Sequence, residues 1–289
     1  MNIFRAYISG FKSTGRTWAM PTFIYVVNLI LGILFAIPFL GTLKQKAGFT
    51  MSIQDVLSGY DHTVFQELFN EATVYIGQFI RQGLWIAVLF FIISIFLTGG
   101  ILHIFSDKSY PFTFERFFSG SLKFFLRFLK LSMYMLVIYL LLTALIFLIV
   151  FLISAGVFSG TGSEKTFFFI VFPGFCFWLL VIIFFLIIAD YARFSIVRND
   201  SRNVFITIFR SLKFVSRKFP FTYGLYLMLL VAPVALIYSY TLLSNVIGMT
   251  SGITILVMFL IQQLFIWAKV FTRVWTFASQ FDYFLGRAF

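Results

Sequence analysis

Charge is scarce in this sequence, and cysteine and histidine are nearly missing. Only 11% of the 289 residues are Asp, Glu, Lys or Arg, against roughly 25% in a soluble domain, and 61% are hydrophobic. No soluble core of this size hides so much apolar surface, and a bilayer removes the difficulty. A single cysteine, Cys176, lies inside an apolar run. It excludes an internal disulfide, and no Cys/His cluster offers a metal site. His62 stands beside Asp61 and reads as part of a solvated turn. His103 has Asp107 four residues on and reads as a helix-end pair. Neither approaches the three or four ligands that a metal needs. No Gly-x-Ser-x-Gly, Walker or His-Glu-x-x-His pattern occurs, so no catalytic residue and no cofactor is expected, and the chain does not read as an enzyme. Acidic residues are also few, 10 against 22 basic ones, for a net charge of +12. In a soluble protein that excess would suggest nucleic acid. Here it is read as membrane topology, with no nucleic acid partner.

Long apolar runs are what the chain has in abundance. A spanning helix needs about 20 mostly apolar residues. Six stretches qualify: roughly Trp18–Leu40, Gly83–Phe105, Leu131–Ala155, Phe167–Ala189, Phe221–Leu243 and Gly252–Thr272. The first follows Arg5, Lys12 and Arg16 as a signal peptide would. It is too long for an h-region and no small-residue cleavage site follows Phe39, so it reads as a retained span.

Basic residues set the orientation. Lys108, Arg116, Lys123, Arg127 and Lys130 fall in the second connection. Arg193, Arg198, Arg202, Arg210, Lys213, Arg217 and Lys218 fall in the fourth, and Lys269, Arg273 and Arg287 at the C-terminal end. Only Lys44, Lys46, Arg81 and Lys165 lie on the other face, which puts both termini in the cytoplasm. The 44 phenylalanines suit lipid-facing helices. The longest outer segment, about 41–82, carries Asp55, Asp61, Glu67 and Glu71. Ser52 with Asp55, and Thr63 with Gln66, resemble capping boxes, and Val64, Leu68, Tyr75 and Phe79 recur at helical spacing. The pattern predicts an amphipathic helix on the outer surface, or an outward extension of the second span.

The cytoplasmic segments before the odd-numbered spans look alike. They read FRAYISGFKSTGR, ERFFSGSLKFFLR and FITIFRSLKFVSR. With Lys12 aligned on Lys123 and Lys213, Arg16 falls on Arg127 and Arg217, and Arg5 on Arg116, while the third copy has Ile206 there. Arg5, Ser9, Lys12 and Arg16 share one helical face, as do Arg116, Gly120, Lys123 and Arg127, and Arg210, Lys213 and Arg217 make a shorter stripe. Thr113 and Ser201 are the N-caps expected for the second and third copies. The fold class expected is therefore all-α: one polytopic domain over 1–289, with six transmembrane helices as three hairpins. Each hairpin follows a basic amphipathic helix in the cytoplasmic interface, in pseudo-repeats of about 1–107, 112–195 and 201–289. The nine stripe cations Arg5, Lys12, Arg16, Arg116, Lys123, Arg127, Arg210, Lys213 and Arg217 are the candidate contacts for anionic lipid headgroups. This layout resembles a loose group of bacterial six-span proteins that includes the membrane domain found beside some glycerophosphodiester phosphodiesterases. The resemblance implies a fold of hairpins alternating with interfacial helices. It implies no active site, because the hydrolase domain with its carboxylates and histidines is not in this sequence.

Span centres hold almost no ionisable residue. Asp190, His103, Lys269 and Arg273 fall near cytoplasmic ends, and Asp190 with Arg193 reads as an interfacial ion pair. Asn28 and Gln262–Gln263 read as interhelical hydrogen-bonding groups. Pro173 and Pro233 lie inside spans and are expected to kink them. Gly99–Gly100, Gly156, Gly160 and Gly162 permit close packing or turns. The function expected is a non-enzymatic accessory, scaffold or assembly subunit of a bacterial inner membrane. It would contact anionic lipid and a membrane-protein partner or a second copy. A transporter or lipid-moving protein is the alternative. An intramembrane lipid enzyme is the third reading, and it would require His103, Asp190 and Tyr191 to meet.

Overall fold

A computed structural model describes residues 2–47, 62–107, 112–161, 164–247 and 251–286. The described chain is all-helical: α1 (Ile3–Arg16), α2 (Ala19–Ala47), α3 (His62–Ser106), α4 (Phe114–Thr161), α5 (Glu164–Asn199), α6 (Val204–Arg217), α7 (Phe219–Val246) and α8 (Gly252–Leu285). Five stretches are long and apolar enough to cross a membrane: Ile80–Ser106, Phe114–Ala155, Phe168–Asn199, α7 and α8. Ile3–Arg16 with Ala19–Leu34 makes a sixth if the pair is one broken span.

The expected outer capping box at Ser52 and Asp55 lies outside the described residues. The one at Thr63 is corrected. His62 and Thr63 are already helical, and α3 runs without a break from His62 into the apolar stretch. From residue 62 on, the segment is thus a continuation of the helix that carries the second apolar stretch, and His62 stands in a helix rather than in a turn.

A second correction concerns the basic segments. The first and third are separate helices, α1 and α6, but the second is the opening of α4, which continues unbroken for 48 residues. Proline explains the difference. Pro21 and Pro220 stand in the first turns of α2 and α7, where a missing N–H costs nothing, and each follows a break in the chain. Phe114–Thr161 contains no proline, so nothing ends the helix. The 42-residue apolar stretch of α4 is about 63 Å long, roughly twice a hydrocarbon core of about 30 Å. Asn203, not Ser201, caps α6, its side chain accepting from Ile206 N at 3.3 Å. Ser201 is within 3.0 Å of the Thr207 hydroxyl instead. Thr113 does cap α4, accepting from Arg116 N at 3.4 Å. Pro173 and Pro233 both stay inside continuous helices.

The chain forms two compact units. Thr22–Ile95 holds most of α2 and the part of α3 before Phe96. The other unit, Met1–Pro21 with Phe96–Phe289, has its core at one end of its spans. There Tyr191 and Phe194 of α5, Phe214 of α6, and Phe281 and Phe284 of α8 interlock, with ring centroids 5.4 Å apart for Tyr191–Phe214 and 5.5 Å for Phe194–Phe281. Tyr191, Phe194 and Phe281 are fully buried. Each buried aromatic of this size contributes about 1.5–3 kcal/mol.

Candidate functional site

Small residues bring the basic segments against the helix ends that support them. Ala6, Gly10 and Thr14 recur every four residues and form the buried face of α1. A Cβ on Gly10 would stand 2.7 Å from Ser279 Cα, so α1 touches the backbone of α8. Trp275 Nε1 donates to the Tyr7 carbonyl at 3.0 Å, and Ser9 Oγ donates to Asp282 Oδ2 at 2.6 Å. Ser9, read from sequence as part of the basic face, is thus turned toward α8. In α4, a Cβ on Gly120 would meet the His103 ring at 2.5 Å, and one on Gly100 would meet Ser121 Oγ at 2.6 Å. Gly99 and Gly100 therefore serve packing. Counting two residues back from Lys12, Lys123 and Lys213 gives Gly10, Ser121 and Ser211, and all three are buried.

The nine candidate cations divide into two sets. Arg5, Lys12, Arg16, Arg210, Lys213 and Arg217 are exposed and make no ion pair with another described residue. The α4 set is engaged within the protein. Asp200 receives Arg127 Nη1 at 2.5 Å and Lys123 Nζ at 3.5 Å, and Arg116 Nη2 donates to the Asp107 carbonyl at 3.2 Å. The Arg127 hydrogen bond, assisted by the charges of Arg127 and Lys123, holds the Asp200 carboxyl below the ordinary carboxylate range. Sequence reasoning passed over Asp200. Its signal was the Asn-Asp-Ser run between two helical patterns, a turn composition, and Asp200 has a φ of 46°.

Asp190 and Arg193 pair as expected, at 2.6 Å, with side chains 15% and 23% exposed. They do not stand alone. The charge of Arg273 on α8 acts on both, and Tyr139 of α4 and Tyr226 of α7 feel the charge of Asp190. Tyr223 stands one turn before Tyr226 on α7. The hydroxyls of Tyr139 and Tyr223 are buried without a hydrogen-bond partner among the described residues. His103 belongs elsewhere. Its charged neighbours are Arg116, Lys123 and Asp107, none shared with Asp190, so the geometry does not assemble the His103–Asp190–Tyr191 constellation. Among the described residues no three His, Cys, Asp or Glu side chains are grouped as metal ligands. Deep in the spans, Trp178 Nε1 donates to Thr143 Oγ1 at 3.1 Å, an α4–α5 bond. Beside it is an apolar cavity of about 220 Å³ lined by Phe147, Val150, Phe168, Phe172 and Trp178.

Comparison with protein-family models, with curated proteins and with solved structures finds no match.

Proposed function

We propose that this chain is a non-enzymatic accessory or assembly subunit of a bacterial inner membrane. In this reading it has six spans in three hairpins, with both termini cytoplasmic. The observation that carries the subunit reading is how little four of the five long apolar helices are covered by their own chain, Ile80–Ser106 of α3 being the exception at 33%. Only 6% of the most apolar stretch is buried within the chain in α4, α5 and α7, and 11% in α8. Helices in lipid associate through close packing and polar contacts, and these surfaces have little of either from their own chain. Lipid, partner helices or a second copy must cover them. The six exposed cations of α1 and α6 support contact with anionic headgroups, each worth about 1 kcal/mol near such a surface. A second reading, movement of a lipid, draws support from the polar cluster around Asp190.

Gentle native extraction of the tagged protein with mass spectrometry of what co-purifies tests the first reading. A membrane protein recovered in fixed stoichiometry, or a stable homo-oligomer, is expected. Recovery as a lone monomer would count against it. Reporter fusions at the two termini test the orientation, and an extracytoplasmic signal from either would overturn it.

A further inference from the structure

The first half of α8 is apolar except at one exposed position. Residues 252–268 carry no charge, and a helix of that length covers about 26 Å of a hydrocarbon core of about 30 Å. Gln262 stands about 15 Å from Gly252 and about 10 Å from Lys269, so any placement that sinks this run in a bilayer puts Gln262 in the hydrocarbon. Gln262 is exposed and makes no hydrogen bond with a described residue. Gln263 beside it is half-buried and has an interaction of its own. The packing of α8 within the chain uses another face, where Met258 is buried and Phe265 stacks on Tyr240 of α7 at 4.7 Å. Hydrocarbon supplies neither donor nor acceptor, so an unpaired amide there is expensive. The neighbours of Gln262 on its own side are apolar. Ile255 is 53% exposed and Phe259 55%, and Ile266 follows one turn on, half-buried. The order 255, 259, 262, 266 alternates steps of four and three, the seam along which one helix meets another.

We propose that Gln262 is the polar contact of a twofold homodimer in which α8 of one copy packs along α8 of a second. The inference rests on the subunit reading and names its partner. An amide carries two N–H donors and one carbonyl acceptor, so two amides close a reciprocal pair in which each donates and each accepts. That self-complementarity selects a second copy. Copies in one membrane share an orientation, so their twofold axis stands along the bilayer normal. A helix beside that axis meets its own copy in parallel, with Gln262 opposite Gln262. Ile255, Phe259 and Ile266 pack around the pair at the spacing of a left-handed crossing of about 20°. Lys269 and Arg273 continue the register, and repulsion of like charges confines the contact to the part of the seam before them. The contact is separate from the exposed stripes of α1 and α6.

The experiment is Förster transfer between differently tagged copies of the full chain in phosphatidylcholine vesicles, with the lipid-to-protein ratio varied. Wild type should dimerise. Gln262→Leu should need about tenfold more protein per lipid to do so, the scale of two interhelical hydrogen bonds. Gln262→Asn keeps an amide and should retain most of the association. Disulfide trapping in a Cys176→Ala chain gives a second answer with Gln262 in place. Ile255→Cys should cross-link between copies, and Leu264→Cys, on the opposite face of α8 and 65% exposed, should not. The proposal is overturned if wild type is monomeric at every ratio, if Gln262→Leu dimerises as wild type does, or if Leu264→Cys cross-links and Ile255→Cys does not. A dimer indifferent to Gln262→Leu removes this contact and leaves the subunit reading standing. A chain monomeric in vesicles but extracted in fixed stoichiometry with a different protein removes the second copy alone.

Discussion

Replacing Gly10 by alanine should loosen α1, while the same change at Gly15, five residues on, should tighten it. A Cβ at position 10 would lie 2.5 Å from Ser279 N and 2.7 Å from Ser279 Cα, where carbon atoms ordinarily keep about 3.5–4.0 Å. Ser279 Oγ, nearer still, can rotate away, but these two atoms are backbone, so a side-chain rotation gives no full relief and α1 must withdraw by about 1 Å. Overpacking of this kind costs about 1–3 kcal/mol. The withdrawal also stretches Ser9 Oγ–Asp282 Oδ2 from 2.6 Å toward the limit of hydrogen bonding, and a bond to a charged group contributes about 1.5–3 kcal/mol. Alanine returns about 1 kcal/mol through helix propensity. The net loss is about 2 kcal/mol, or about thirtyfold in the opening equilibrium of α1. At Gly15 nothing lies within 4 Å of the added methyl, so the propensity gain remains and opening falls about fivefold. Hydrogen exchange of the α1 amides, read by mass spectrometry in lipid nanodiscs, measures both. Exchange should quicken in Gly10→Ala and slow in Gly15→Ala, with the amides of Phe168–Trp178 in α5 unchanged as the internal reference. Equal behaviour of the two variants would refute the close approach of α1 and α8.

Asp200→Asn should release Lys123 and speed its reaction with an amine reagent severalfold, leaving Lys12 as before; an unchanged Lys123 rate would show that the bridge does not hold. Because the folded Asp200 carboxyl lies below its unfolded value of about 3.9, the contribution of the bridge is present above that value and is lost as pH falls through the folded one. Lys123 labelling corrected for reagent pH dependence should therefore stay protected from pH 7 to about pH 4. With Asp200 56% exposed, the bridge contributes under about 1 kcal/mol, so thermal stability should scarcely change in the variant. Ser251 and Thr254 form a capping box at the start of α8, and Ser251→Ala should cost about 1 kcal/mol, seen as faster exchange at residues 253–256 and nowhere else. Equal exchange in that variant would mean that the cap contributes nothing.

Composition and periodicity were enough to determine that this is an all-helical chain with several helices able to cross a bilayer. A helix boundary followed where a local residue sets it, as at Thr113, whereas the starts of α2 and α7 at the turns carrying Pro21 and Pro220 were not read. The stripes were legible for the same reason, since spacing along one helix puts Lys12 and Arg16 on a common face. What tertiary structure alone decided is which of those charges remain exposed. Lys123 and Arg127 stand in the same register as Lys12 and Arg16, yet both are held by Asp200, 73 residues beyond Arg127, and helical spacing carries no information across that distance. The polar cluster was hidden likewise. Asp190 and Arg193 are one helical turn apart and readable as a pair, whereas the influence of Asp190 on Tyr139 and of Arg273 on both members of the pair depends on how α4, α5 and α8 pack. Local sequence specifies the face of a helix that a residue occupies. The neighbour which that face meets is set by packing between helices distant in the chain.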